Sequence, residues 1–330
     1  MGIGSQASHS TSLMGVILAA GRGERMWPFS ESYPKPILPI CNKPLIVYQI
    51  AMMRSLGISD VVILIGHKGY EITRVLGDGR ELGVNLRYVE QGEMLGIAHA
   101  VGNLESVVDR PFMLFLGDIF FKAPRLCEMV DKFFEAPTGG VLATKEESDP
   151  EAIRRNYSIT LSNEGLVTRV MEKPRHTRNR LKGCGLYLFD LCVFDAIRRT
   201  PRTAMRNEYE LTDAIQVMID DGNEVRISNV VDEDMNVTNP ADLLVINLRE
   251  AQTQWGGSLV GRKTQVAQGA TIERSVIGDN VRIEHPIKIC NSVIFDGVVI
   301  DSRNSLNGVV VTPDRVVDCA NILEDSVRDQ

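Results

Sequence analysis

The residues best equipped for chemistry sit in one early stretch, Leu18-Ala-Ala-Gly-Arg-Gly-Glu-Arg25, followed by Pro34-Lys-Pro36. Val16-Ile-Leu18 reads as a buried strand, and the small residues after it let backbone approach a ligand closely. Backbone N–H groups freed by glycine conformations form a concave donor nest, and the start of the next helix adds its positive end. Arg25 can hold two phosphate oxygens at once, whereas Lys35 acts as a mobile point charge. Together these are the parts of a grip for a nucleoside triphosphate, lined by Leu18, Ala20, Gly21, Gly23 and Arg25. The same residues also read as a tight strand-to-helix turn with surface cations, but glycines, Arg and Pro-Lys-Pro in this order are more specific than a lone glycine motif.

Bulk properties narrow the partners. The chain has 330 residues, 44% of them hydrophobic, enough to bury one large core and carry a second, smaller domain. A net charge of −7 and a pI of about 5.4 argue against nucleic acid and anionic membranes as partners. A polyanionic ligand must therefore be met by a local cluster, and Arg22, Arg25, Lys35 and Lys43 supply one. Six cysteines at 41, 127, 184, 192, 290 and 319 form no C-x-x-C pair and read as reduced thiols of a cytoplasmic enzyme. His285 near Cys290 reads as packing rather than a metal site. The first thirteen residues are Ser-rich, with neither the basic start nor the apolar run of a signal peptide, and read as a disordered lead-in. No stretch reaches the roughly 18 to 20 apolar residues needed to span a bilayer.

The elements that must position the early stretch alternate. Apolar runs at 15–19, 60–65, 84–89 and 112–117 read as strands, and helix-like segments fall at 45–56, 69–76 and 95–107. That alternation predicts an α/β fold with a doubly wound, mixed but mainly parallel sheet. Ligands of such sheets sit beyond the carboxyl ends of the strands, where strand order reverses, so the loops after 19 and 117 are the places for chemistry. Runs at 140–144, 157–161, 166–171 and 184–189 predict an antiparallel or mixed extension, with a hairpin turn at Asn163-Glu-Gly165. Helices follow at 190–199 and 209–221, and a last one starts at Pro240 behind Asn239 as N-cap and runs to about Gln252.

After Trp255-Gly-Gly257 the period changes. Val260, Val266 and Ile272 recur every six residues, and Val281, Ile287, Val293 and Val299 form a second such register. Six-residue recurrence is the signature of a β-helix in which one aliphatic per side points inward, with Gly261, Gly269, Gly278 and Gly297 at corners. A pair of plain β-hairpins is the other reading. The expected organisation is a lead-in at 1–13, a catalytic domain at 14–254, a β-helix at 255–312 and a tail at 313–330. So short a solenoid is expected to pack on the catalytic domain or on another subunit, making a homo-oligomer.

Leu18-Ala-Ala-Gly-Arg-Gly-Glu-Arg-Met26, Pro28, Pro34-Lys-Pro-Ile-Leu-Pro39 and Lys43-Pro44 resemble the N-terminal signature of the sugar-1-phosphate nucleotidylyltransferases, which include glucose-1-phosphate thymidylyl- and uridylyltransferases. The resemblance continues through Gln91, Leu95-Gly96, Leu116-Gly-Asp118, Glu172-Lys-Pro174, Gly185-Leu-Tyr187, Glu210-Leu-Thr-Asp213 and Asn236-Val-Thr-Asn-Pro240, and covers nearly the whole chain. It implies a Rossmann-like nucleotide-diphospho-sugar transferase fold with a C-terminal left-handed β-helix. It also implies Mg²⁺ on Asp118 and Asn236, base reading by Gln91 with backbone near Gly96, and sugar-phosphate contacts from Glu172, Lys173 and Gly185. Capping by Asp118, an Asx turn at Asn236 and a solvated Glu172–Lys173 ion pair are the structural alternatives. Gly183 and Cys184 stand where an Asn-Ala-like pair is usual, Ser158 follows Tyr157 where Gly is usual, and Ile119 replaces an Asn, so the sugar is less defined than the reaction.

The implied reaction is attack by a sugar-1-phosphate oxygen on the α-phosphorus of a nucleoside triphosphate, dTTP or UTP first among them, with Arg25, Lys35 and Lys173 as the catalytic cations. Catalysis is then positioning of two anions and charge stabilisation at phosphorus. Competing readings are a cytidylyltransferase acting on another phosphorylated substrate, a molybdopterin-modifying enzyme and a non-catalytic regulatory subunit of the same fold. An acyltransferase site on the β-helix is disfavoured by its length and its single His285.

Overall fold

A computed structural model describes residues 12–175, 180–204 and 206–321. Most of the lead-in and the end of the tail lie outside the described residues. By contacts the chain forms two compact units, one from the chain up to Gly21 with Gln49–Asp234, the other from Arg22–Tyr48 with Met235 onward. A division by repeat at 254/255 and this division by contacts are different cuts. The second places the Arg25 and Lys35 segment with the C-terminal part of the chain.

The first unit is built on nine strands: β1 (Met14–Ala19), β2 (Asp60–Ile65), β3 (Asn85–Glu90), β4 (Phe112–Leu116), β5 (Gly140–Glu146), β6 (Tyr157–Leu161), β7 (Val167–Glu172), β8 (Leu181–Phe189) and β9 (Val225–Ser228). β1 pairs in parallel with β2 and β4, and β2 with β3. β8 runs antiparallel to β4, β5 and β6, and β6 to β7, which makes the sheet mixed as expected. The hairpin at 162–166 forms where it was placed, with Ser162 Oγ accepting from the Glu164 and Leu166 N–H groups. β9 had no counterpart among the expected strands; it pairs in parallel with β5.

Helices α1 (Leu45–Ser55), α2 (Gly69–Leu76), α3 (Ile97–Gly102), α4 (Cys127–Glu135), α5 (Cys192–Arg199) and α6 (Leu211–Asp220) intervene. One face of the sheet, through Met14, Val16, Leu64, Phe112 and Leu114, shares a core with α3, α5 and α6 residues such as Ala98, Phe194 and Ile215. On the other face Gly15 lies against Met53 of α1, so close that a Cβ there would meet the Met53 sulfur. Burial on both faces explains why β1 and β4 read as continuous apolar runs rather than alternating ones.

In the second unit α7 (Pro240–Trp255) starts as expected. Asn239 Oδ1 accepts from the Ala241 and Asp242 N–H groups while Asp242 Oδ2 accepts from the Asn239 N–H, a reciprocal capping box. The helix ends three residues beyond Gln252, where Gly256 turns left-handed. A small left-handed β-helix follows, with three parallel ladders that start at Leu259–Val260, Gln265–Val266 and Thr271–Glu273. Ladder partners are seventeen residues apart: Ser275 N–H donates to Ser258 Oγ, Ser292 N–H to Ser275 Oγ, and Val309 N–H to Ser292 Oγ. A coil is thus two steps of six residues and one of five, and this corrects the inward set.

Val260, Val266 and Ile272 do align with the buried Ile277, Ile283 and Ile289. Val260 and Val266 nevertheless remain 46% and 42% exposed, on a first coil with a coil on one side only. In the second register Val281, Ile287 and Val293 are buried, but Val299 aligns with Arg282 and faces outward. A strict count of six slips by one residue per coil, and a one-residue slip in a strand reverses the side chain. Within the segment assigned to the tail, Val316–Asp318 pairs antiparallel with Val309–Val311.

Candidate active site

In the first unit the parallel strands lie in the order β3-β2-β1-β4, so strand order reverses at β1, the kind of crevice where open α/β sheets bind ligands. There the Gly117 N–H donates to Leu18 O at 2.9 Å, setting the residue before Asp118 against the end of β1. Asp118 is half-buried in the turn between β4 and the short strand Ile119–Lys122. The turn is held by a residue the sequence did not single out. Gln49, on α1 and 1% exposed, donates its amide nitrogen to both Leu116 O and Ile119 O at 2.9 Å.

Gln91 stands directly after β3, its N–H bonded to Ile65 O at 2.8 Å and its side-chain nitrogen to Glu93 O at 3.0 Å. The loop from there to Gly96 is pinned by Tyr209, whose N–H donates to Leu95 O and whose carbonyl accepts from Ala98 N–H. Gly96 has φ +110°, and a Cβ would lie 2.5 Å from Tyr209 O, so only glycine fits. The helix expected over 95–107 is the shorter Ile97–Gly102: this clamp takes up Leu95 and Gly96, and residues 103–107 form turns.

At the other edge of the sheet Glu172, Tyr157, Gly183 and Thr144 form one row across β7, β6, β8 and β5. The Tyr157 ring fills the space a side chain at 183 would need, its Cζ 1.9 Å from the position of a Cβ. The register of β8 against β5 shifts between Gly183 and Tyr187, a bulge spanning Cys184 and Gly185, and bulges beside sites re-aim side chains. At Gly185 the missing Cβ is replaced by Leu116 and Ile119 side chains, so this glycine answers to packing as well.

Glu172 lies 3.5 Å from Lys173 Nζ, 3.7 Å from Arg206 and 3.5 Å from Thr212 Oγ1. Burial pushes its carboxyl above the usual range; Lys173 pulls it down and Glu210 adds to the rise. Lys173 leaves β7 with φ +41°, its N–H bonded to Asn156 O at 2.7 Å, a strained backbone of the kind found at functional positions. Arg206 also meets Glu210 at 2.8 Å; its place four residues before Glu210 was the available signal. Beneath the bulge Lys182 and Asp234, both buried, pair at 2.7 Å, with Lys145 4.0 Å from the same carboxylate oxygen. No motif announced that pair.

In the second unit Gly23 (φ +65°) leads into the three-residue 3-10 turn Glu24–Met26, which buries Met26 and leaves Arg25 exposed. This corrects the expected helix: a turn of this length carries no helix dipole worth invoking. Lys35 opens another such turn, Lys35–Ile37, and its stem lies 3.1 Å from where a Cβ on Gly23 would sit. Thus Gly23 and Lys35 are brought together. Lys43, the last of the basic cluster, lies 4.6 Å over the Tyr48 ring. Asn236 is exposed, and the cap that follows it is made by Asn239 and Asp242 rather than by its side chain. Among the described residues there is no group of three or more His, Cys, Asp or Glu placed to hold a metal. All six cysteines are free thiols. Burial pushes Cys41 up to about 12 and Cys192 up to about 11.

A family model described as nucleotidyl transferase matches residues 14–248, and one described as GlmU-like, C-terminal hexapeptide matches 239–330. The low-salt glycan biosynthesis nucleotidyltransferase Agl11 of Haloferax volcanii is 35% identical over 71% of this chain, which spans 65% of that protein. A glucose-1-phosphate thymidylyltransferase of Streptomyces griseus is 30% identical over 94% of this chain and 84% of its own. Among solved structures, a Bacillus anthracis protein provisionally named glucose-1-phosphate thymidylyltransferase superposes with a TM-score of 0.63 at 26% identity, over 71% of this chain and 94% of that one. A UDP-glucose pyrophosphorylase bound to UDP-glucose superposes at 0.64 and 20% identity, over 73% and 99%, and shares the fold. No helix among the described residues is long and apolar enough to cross a membrane.

Proposed function

Because the chain belongs to the nucleotidyl transferase family, we propose that it joins a sugar-1-phosphate to a nucleoside triphosphate and releases pyrophosphate. The preferred substrates on this reading are a hexose-1-phosphate such as glucose-1-phosphate and dTTP or UTP; relatives are named glucose-1-phosphate thymidylyltransferase and UTP–glucose-1-phosphate uridylyltransferase. The observation that carries it is the turn bearing Asp118, locked by Gln49 and bonded to the end of β1 where strand order reverses.

An oxygen of the sugar-1-phosphate attacks the α-phosphorus, a new P–O bond forms, and the bond to the β-phosphate breaks with its electron pair leaving on pyrophosphate. The attacking phosphate is already ionised near neutrality, so no protein nucleophile is needed. Arg25 and Lys35 hold the triphosphate, with Leu18, Ala20, Gly21 and Gly23 supplying close backbone. Gln91 offers donor and acceptor to a pyrimidine edge beside Gly96. Lys173 neutralises the sugar phosphate and Glu172, with Gly185 backbone, orients the sugar. Asp118 and Asn236 would hold Mg²⁺, which supplies charge neutralisation at the reacting phosphates. Their hard oxygens suit an ion that keeps waters and phosphates as its other ligands.

Pyrophosphate release across a matrix of nucleoside triphosphates and sugar-1-phosphates, with Mg²⁺ or EDTA, tests this reading. Turnover confined to one pyrimidine triphosphate with a hexose-1-phosphate, lost in EDTA, is the expected result; inactivity throughout would favour a regulatory subunit. The reading includes a cytoplasmic homo-oligomer joined through the β-helix, for which exposed Val260 and Val266 are the apolar ground. Sedimentation tests the assembly.

A further inference from the structure

Residues 22–44 have almost no regular structure of their own. They form three turns of three residues each and one two-residue ladder, Pro39–Ile40 with Lys43–Pro44. So few backbone bonds cannot hold two cations to the fraction of an ångström that phosphate recognition needs. Asn247 of α7 anchors the end of the segment, Oδ1 accepting from Cys41 N–H at 2.7 Å and the amide donating to Pro39 O at 2.9 Å, and the β-helix of the same unit holds the rest. Asn42 donates its side-chain amide to Ile277 O at 2.7 Å, on the second coil. Phe295, on the third coil and 4% exposed, meets Phe29 at 6.0 Å between ring centroids and Tyr33 edge-on at 5.3 Å. Arg315, beyond the last coil, bonds Glu31 at 3.2 Å. Phe295 is itself fixed, its N–H donating to Val311 O at 2.8 Å.

The aromatic contact falls between the two cations. Arg25 lies four residues before Phe29, and Lys35 two residues after Tyr33. Phe29 is also where the turn closes, its carbonyl accepting from both the Ser32 and Tyr33 N–H groups. A ring removed at 295 would free Phe29 and Tyr33 together, and with them the turn on which both cations depend. We infer that Phe295 of the β-helix is a positioning residue for Arg25 and Lys35, so that the β-helix sets the protein's affinity for the nucleoside triphosphate. This rests on the reading of those cations given above. It makes the C-terminal repeat a part of the nucleotide grip rather than an appendage.

The test compares the full-length protein with Phe295→Ala and Phe295→Leu. Amide hydrogen exchange at residues 26–38 reads the segment without reference to activity. Trp27, 65% exposed and bonded through Nε1 to Glu31, reports Mg²⁺-dTTP or Mg²⁺-UTP binding by fluorescence. In Phe295→Ala, exchange at 26–38 is expected to accelerate, and the nucleotide Kd and KM to rise about tenfold or more, as displaced positioning groups do. The KM for sugar-1-phosphate stays within about twofold. Phe295→Leu, which keeps an apolar plug, restores most of the nucleotide affinity. Unchanged exchange and affinity in a folded Phe295→Ala protein would overturn the inference, as would an equal rise in both KM values with no recovery in Phe295→Leu. A wild-type protein that binds no nucleotide refutes the functional reading instead, and the exchange result still decides whether Phe295 holds the segment.

Discussion

In the sheet unit Asp118, Gln91 and Glu172 each stand at the end of a strand whose ladder fixes its place, whereas Arg25 and Lys35 stand on three-residue turns in a segment held by a few contacts to α7 and the β-helix. Strand ends inherit the rigidity of a core buried on both faces. Turns inherit only what a few distant contacts supply. The difference teaches where each half is vulnerable: the first through burial and register, the second through single pegs.

The comparison can be broken first at the chemistry. Asp118→Asn in one unit and Arg25→Ala in the other are each expected to lower pyrophosphate release by about 10²–10³, as removal of single charge-stabilising groups does. Unchanged melting temperatures would assign both losses to catalysis, and near-normal turnover in either would remove that residue from the mechanism. Next comes burial. Lys182→Met leaves the Asp234 carboxylate only Lys145, at 4.0 Å, among the described cations and should cost the sheet unit up to about 3 kcal/mol in denaturant unfolding, with much of it regained in Lys182→Met/Asp234→Leu. A register effect follows: Gly183→Ala drives a methyl into the Tyr157 ring and should cost about 1–3 kcal/mol.

On the other side of the comparison, Asn239→Ala removes one cap and should cost about 1 kcal/mol, measured as an earlier loss of the α7 amides in hydrogen exchange. The smallest effect is an absence of reaction. Cys41, pushed up to about 12, stays a neutral thiol at pH 8 and should resist alkylation, while exposed Cys127 reacts first. Peptide mapping after brief iodoacetamide treatment reads the order, and early labelling of Cys41 would mean that the second unit opens locally.

Much of this was legible because it is local. Pro240 behind Asn239, the turn at Asn163-Glu-Gly165 and the small-residue run after β1 announce themselves within a few residues, since capping, turn chemistry and close backbone approach are short-range demands. The parallel strands were legible from apolar runs of the right length. The β9 strand was not, because Val225–Ser228 is too short to show a pattern and owes its state to pairing with β5. The β-helix was recognised from a six-residue recurrence, yet which valines face inward depended on the five-residue step that only stacked coils reveal.

The proposed site residues divide the same way. By itself the sequence supplied the proposed inventory: the small-residue loop, Arg25 and Lys35 through their types and spacing, and Asp118, Gln91, Glu172, Lys173 and Asn236 through the family resemblance. Only the tertiary structure decided what holds them. Gln49 reaches Leu116 across 67 positions, Lys182 reaches Asp234 across 52, and Phe295 reaches Phe29 from the far part of the chain. Contacts at such separations leave no periodicity to read, since they depend on which surfaces the folded backbone brings together.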